Sequence, residues 1–136
     1  MEETKKDILN QGLADELNAA AEYIGFAAKF GDLTLKERFL QYAADELTHA
    51  IKILRLMCNA KVEPEKIDIT PTDGELIEEL VQYIANEEAA VFYYDVLQKL
   101  HQDGEVTSLC QEIKNEEDRH LRNIRQIFLQ AKERKG

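Results

Sequence analysis

Glu46-Leu47-Thr48-His49 and Glu117-Asp118-Arg119-His120 are the two places where this sequence could do chemistry. Each is a Glu-x-x-His, and each follows another glutamate by thirty residues, Glu16 before the first and Glu87 before the second. On a helix, residues three apart share a face, so each motif aims one carboxylate and one imidazole the same way. The chain has three histidines, and two of them occupy this motif at matching places in the two halves. One such motif in a glutamate-rich chain carries little weight; two, each with an upstream glutamate at the same interval, form a ligand set. Four ionised glutamates are balanced by two divalent cations, whereas one metal or none leaves repulsion that only protonation could relieve. Carboxylate and imidazole donors together suit iron or manganese, while zinc usually takes four ligands richer in nitrogen or sulfur. Glu46 and Glu117, each beside a histidine, are the natural bridging ligands. Glu16 and Glu87 would be terminal, and His49 and His120 would each hold one metal.

Four helices must position these groups. Thr4 and Asp7 open the first, whose apolar residues recur at helical period as far as Phe30. Gly31-Asp32 makes a turn, Thr34 with Glu37 reads as a capping box, and the second helix runs to about Met57. Residues 58–72 hold both prolines and no helical period. Thr72 with Glu75 reads as another capping box for a third helix reaching about His101, and Gln102-Asp103-Gly104 turns the chain into a fourth. The apolar seams are Leu9, Leu13, Glu16, Ala20, Tyr23, Ala27 and Phe30; Phe39, Tyr42, Glu46, His49, Ile53 and Leu56; Leu80, Ile84, Glu87, Val91 and Tyr94; and Cys110, Ile113, Glu117, His120, Ile124 and Ile127. The six ionisable groups therefore fall on the seams that bundle packing buries, where an isolated charge is strongly unfavourable. No methionine falls on these seams.

The halves repeat at a constant offset of 71 residues, which maps Glu16, Tyr23, Glu46, His49 and Ile53 onto Glu87, Tyr94, Glu117, His120 and Ile124. They read as two copies of one helical hairpin, with each turn about midway between the lone glutamate and the Glu-x-x-His. Folding at that turn brings both ligand groups to the same depth. The link of about fifteen residues is too long for a direct antiparallel connection of about two to eight. Extended, it spans roughly 50 Å, enough to traverse a helix of twenty-odd residues at about 1.5 Å each. The expected fold is all-α: one four-helix-bundle domain over residues 1–136, with hairpin one at about 4–57, a crossover at about 58–72 and hairpin two at about 73–134.

Composition bounds the rest. A chain of 136 residues, 44% hydrophobic and 32% charged, is one domain with a core and solvated helix faces. Six glycines and two prolines leave little room for the turns of an all-β fold. A net charge of −10 argues against a nucleic-acid or anionic-membrane partner. Cys58 and Cys110 form no C-x-x-C pair, which excludes a zinc ribbon or a rubredoxin-type iron centre. With no signal peptide or membrane span, the expected location is cytoplasmic. The two cysteines read as buried or incidental, His101 as structural near a helix end, and Asp15, Asp45, Glu88, Glu116 and Asp118 as a solvated face.

A glutamate followed by Glu-x-x-His, repeated once, resembles the ferritin-like di-iron carboxylate superfamily over nearly the whole chain, most of all its rubrerythrin-like and bacterioferritin-like branches. That resemblance implies a ferritin-like bundle with a long crossover between helices two and three, and two iron ions, with manganese or a mixed pair as the alternative. It implies reaction with hydrogen peroxide or dioxygen, in defence against oxidative stress. Tyr23 and Tyr94 resemble the rubrerythrin tyrosines that hydrogen-bond ligand glutamates; each lies two turns, about 10 Å, beyond its glutamate. Two departures matter. The chain carries no rubredoxin-like part, so electrons must come from a separate protein. Ala90 stands where rubrerythrins have a further glutamate, three residues after Glu87, and Glu88 is about 100° away around the helix. The remaining set is closer to the symmetric bacterioferritin centre. The alternatives are therefore a ferroxidase or iron-handling protein, or an oxygenase of an organic substrate. The same resemblance implies a homodimer or higher homo-oligomer.

Overall fold

The computed structural model describes residues 5–69, 75–100 and 104–135. Four helices account for most of them: α1 (Lys5–Lys29), α2 (Leu33–Ala60), α3 (Leu76–Leu100) and α4 (Gly104–Lys135). No strand occurs among the described residues. The chain divides into two compact units, residues 1–72 and 73–136, the first built from α1 packed on α2 and the second from α3 packed on α4.

In the first unit the expected α1 seam is buried throughout, from Leu9 to Phe30. Phe26 is fully buried as well, because its seam is wider than one residue per turn. On α2, Phe39, Tyr42, Glu46, His49 and Ile53 are buried as expected. At its far end Met57 is buried in the core while Leu56 is only half-buried, so a methionine does sit on the seam. The cap is Asp32 and not Thr34: the Asp32 carboxylate accepts from Thr34 N at 2.8 Å and Leu35 N at 3.2 Å. A short carboxylate two residues earlier reaches the free N–H groups first, and its charge suits the helix N-terminus. Asp32→Ala is expected to lower stability by about 1 kcal/mol. Thr34→Ala should stay within about 0.5 kcal/mol of the parent. Urea midpoints of the two variants check this, and the reverse order would return the cap to Thr34. On the other side of the turn, Lys36 Nζ donates to the carbonyls of Ala27 at 2.8 Å and Ala28 at 3.5 Å, placing a cation at the α1 C-terminus.

α2 runs past the expected Met57 to Ala60 and stops at Lys61, which is left-handed at φ 57° and ψ 41°. Lys61 N donates to Cys58 O at 3.2 Å, and Val62 N to Met57 O at 2.8 Å, so the last carbonyls are satisfied without a glycine. The link then turns back along α1. Asn10, buried though polar, donates to Glu63 O at 3.2 Å and accepts from Glu65 N at 2.8 Å; Asn18 donates to Asp68 O at 3.3 Å. Eight residues of α1 rise about 12 Å while the five steps from Glu63 to Asp68 cover roughly 16 Å. Residues 63–68 therefore form a near-extended strap climbing α1.

In the second unit α3 starts at Leu76, directly after Glu75, whose carbonyl accepts from Glu79 N at 2.9 Å. Thr72, His101, Gln102 and Asp103, together with Thr4, lie outside the described residues. Gly104 is the first residue of α4 instead of the end of a turn. Leu80, Tyr83, Glu87 and Tyr94 are buried on α3, and Ile84 and Val91 are half-buried. On α4 the whole expected seam from Cys110 to Ile127 is buried, joined by Leu121. Ion pairs among the described residues join the helices, Lys114 to Asp95 at 3.0 Å and Arg125 to Glu88 at 3.3 Å. Both are solvent-screened and contribute well under about 1 kcal/mol each. No helix among the described residues is long and apolar enough to cross a membrane.

Candidate metal centre

Hairpin one places its three candidate ligands by simple counting. Gly31 stands fifteen residues after Glu16 and fifteen before Glu46, so both carboxylates sit at the same height, about 22 Å from the turn. His49 adds an imidazole three residues on, facing the same way. His49 Nδ1 lies 3.3 Å from Glu16 Oε2 and 4.0 Å from Glu46 Oε2. All three residues are buried, none more than 2% exposed. One ligand atom from each lies within 4.8 Å of the others. Two oxygen or nitrogen ligands on opposite sides of a small divalent ion stand about 4.2 Å apart, from bonds of about 2.1 Å. The imidazole nitrogen, 3.3 and 4.0 Å from the two carboxylate oxygens, already stands within that span. Glu46 Oε1 is itself buried, and a carboxylate oxygen is a ligand atom for a hard divalent ion. Two carboxylates and an imidazole without solvent are costly as bare charges and well matched to a divalent cation.

Hairpin two carries the matching residues on α3 and α4. Glu117 and His120 are 1% exposed and Glu87 is 8% exposed. Their ligand atoms do not gather as a trio among the described residues, in contrast to Glu16, Glu46 and His49. The repeat in sequence is thus exact in spacing and unequal in side-chain placement. Tyr23 and Tyr94 are both buried, at 0% and 4% exposure. Tyr23 lies against Phe39 and Tyr42, with ring centroids 6.0 and 5.4 Å away.

Two further tyrosines belong to the surroundings of the ligands. Tyr42 and the fully buried Tyr83 each stand four residues before a ligand, Glu46 and Glu87. One turn is about 6 Å, closer along the axis than the two turns to Tyr23 or Tyr94. Tyr42 was legible only as a seam residue, and Tyr83 not at all. The available signal was the recurring Tyr-x-x-x-Glu. Of the flanking acids, Glu88 and Asp118 are exposed, while Asp15, Asp45 and Glu116 are half-buried. Neither cysteine competes as a ligand of the site. Burial pushes the Cys110 thiol up to about 11, which keeps it protonated at neutral pH, and Cys58 is exposed at the end of α2.

Known proteins resemble the chain in sequence pattern and in fold. The sequence model of the rubrerythrin family matches residues 7–128. No curated protein sequence matches. Among solved structures, the chain resembles a bacterioferritin of Mycobacterium tuberculosis, BfrA, with a TM-score of 0.81 at 20% identity, covering 98% of this chain and 90% of that one. It also resembles a hypothetical protein from Pyrococcus furiosus, with a TM-score of 0.79 at 20% identity, covering 92% and 88%. A dodecameric thioferritin, the bacterioferritin-related protein of Bacteroides fragilis, gives 0.77 at 23% identity, covering 95% and 86%. These likenesses show the fold: an all-α, ferritin-like four-helix bundle.

Proposed function

The chain belongs to the rubrerythrin family, and from that premise we propose that it is a di-iron protein reducing hydrogen peroxide or dioxygen with electrons from a separate redox partner. The observation that carries this reading is the buried convergence of Glu16, Glu46 and His49 in hairpin one. Its ligands are Glu16, Glu46 and His49 together with Glu87, Glu117 and His120, each hairpin supplying two carboxylates and one imidazole. Iron held by these residues would supply ferrous–ferric redox chemistry, with the redox partner returning the electrons passed to the oxidant. The glutamates bring the negative charge that holds divalent ions where water does not compete. Tyr23 and Tyr94, buried two turns from Glu16 and Glu87, steady those carboxylates. The strongly acidic surface accords with small neutral oxidants as substrates and disfavours nucleic acid.

One observation favours a ferroxidase as the second reading: residue 90, where the family resemblance leads one to expect a glutamate, is a half-buried alanine. Rapid mixing separates the two. The protein loaded anaerobically with ferrous iron is expected to take up about two iron ions per chain. Hydrogen peroxide should then oxidise it at least about tenfold faster than an equal concentration of dioxygen. Comparable or faster oxidation by dioxygen, with ferric iron accumulating beyond two per chain, would transfer the assignment to iron oxidation.

A further inference from the structure

Between α3 and α4, hairpin two has a groove of about 470 Å³, a size that takes a small organic molecule. None of the six candidate ligands is among its lining residues. The two ion pairs between these helices bracket it: Asp95 meets Lys114 toward one end, and Glu88 meets Arg125 toward the other. Between the bridges the apolar lining comes from Val91, Phe92 and Leu121. Leu121 is buried, Val91 is half-buried, and Phe92 is 70% exposed. The bridges also fix the level of what lies between them. Phe92 stands three residues from Asp95, and Asp118 four residues from Lys114, rises of about 4.5 and 6 Å from the same bridge. Phe92 and Asp118 therefore line opposite walls at nearly the same height.

Charge decides what fits there. Lys114 and Arg125 each face a carboxylate within their bridges. Asp118 is exposed and takes part in no ion pair among the described residues. The lining thus carries three carboxylates against two cations, one negative charge in excess. An exposed phenyl ring offers its electron-rich face to a cation, and a carboxylate accepts a charge-assisted hydrogen bond from an ammonium. An anion would meet the excess charge of Asp118, and a wholly apolar molecule would strip water from the lining charges at a cost. We propose that this groove binds an organic ammonium with an apolar body, the cation held between Phe92 and Asp118 and the body laid along Val91 and Leu121. The site is distinct from the metal ligands, although Val91 follows Glu87 by one turn and Leu121 directly follows His120.

Calorimetric titration of the full, iron-loaded chain with phenethylammonium at low salt tests this. One ammonium per chain is expected to bind. Phenethyl alcohol and hydrocinnamate, which keep the ring without the positive charge, should bind at least about tenfold more weakly. Asp118→Asn should weaken the ammonium about tenfold, and Phe92→Leu about threefold. Glu112→Gln, on the same helix outside the groove, should leave its affinity unchanged. Positions 92 and 118 are both exposed, so neither variant disturbs the core, and circular dichroism checks that the helices remain. Removal of iron should not alter the affinity. Absence of saturable binding, equal affinity for the alcohol, or an Asp118→Asn variant that binds as the wild type does overturns the proposal. So does binding seen only without iron, which would put the ammonium on the metal-ligand carboxylates instead.

Discussion

Glu46→Gln combined with Glu117→Gln is expected to abolish iron binding and leave the metal-free chain folded. Both side chains are 1% exposed on their helices, so the substitution removes two buried negative charges while keeping shape and volume. In a structural ion-pair network that exchange would be destabilising, because each lost charge strands a partner. In a metal site the sign reverses for the metal-free protein, whose carboxylates repel one another and are poorly solvated. The variant should therefore melt at or above the wild-type temperature without metal. With ferrous iron at about a thousand times its dissociation constant, the wild type should gain about 4 kcal/mol. The variant should gain essentially nothing. Calorimetry with and without iron, beside metal analysis of the same samples, reads both quantities. Unchanged iron uptake in the variant, or a sharp loss of metal-free stability, would mean that these carboxylates hold the fold together rather than an ion.

Most of this was legible from two periodicities. The step of three and four placed Glu16, Glu46, His49, Glu87, Glu117 and His120 on the seams, and all six are buried. The 71-residue repeat gave the two hairpins, because a shared offset constrains helix, turn and ligand together. What the sequence concealed has local causes. Thr34-Glu37 matches the capping pattern as well as Asp32 does, and only backbone geometry chooses between them. Lys61 ends α2 in a conformation that glycine usually marks, so the end at Ala60 carried no flag. Asn10 reads as a surface residue by type. It is buried because the returning link supplies backbone partners 53 and 55 positions away, a pairing no local window contains.

Phe39→Ala is expected to cost about 3–5 kcal/mol, the largest loss from any single truncation in hairpin one. The ring is fully buried and touches four others: Phe30 stacked at 5.3 Å, Phe26 at 5.6 Å, Tyr42 edge-on at 5.8 Å and Tyr23 at 6.0 Å. Removing it opens a void among rings from both α1 and α2, which are joined by only a short turn and cannot collapse independently. Domains of this kind have about 5–15 kcal/mol in total, so a large share of the stability is at stake. Phe39→Leu, which refills part of the volume, should recover about half of the loss. Gln41→Ala, an exposed neighbour, should stay within about 0.5 kcal/mol of the wild type. Urea unfolding of the three variants measures this order. The same cluster fixes α1 against α2 about 10 Å along the helix from Glu46, the spacing that sets the 3.3 Å approach of His49 to Glu16. Phe39→Ala should therefore also weaken iron binding without touching a ligand, whereas Asp32→Ala, at the far end of the turn, should not. Equal iron affinity in both variants would show that the ligands are held by their own helices and that the aromatic cluster serves stability alone.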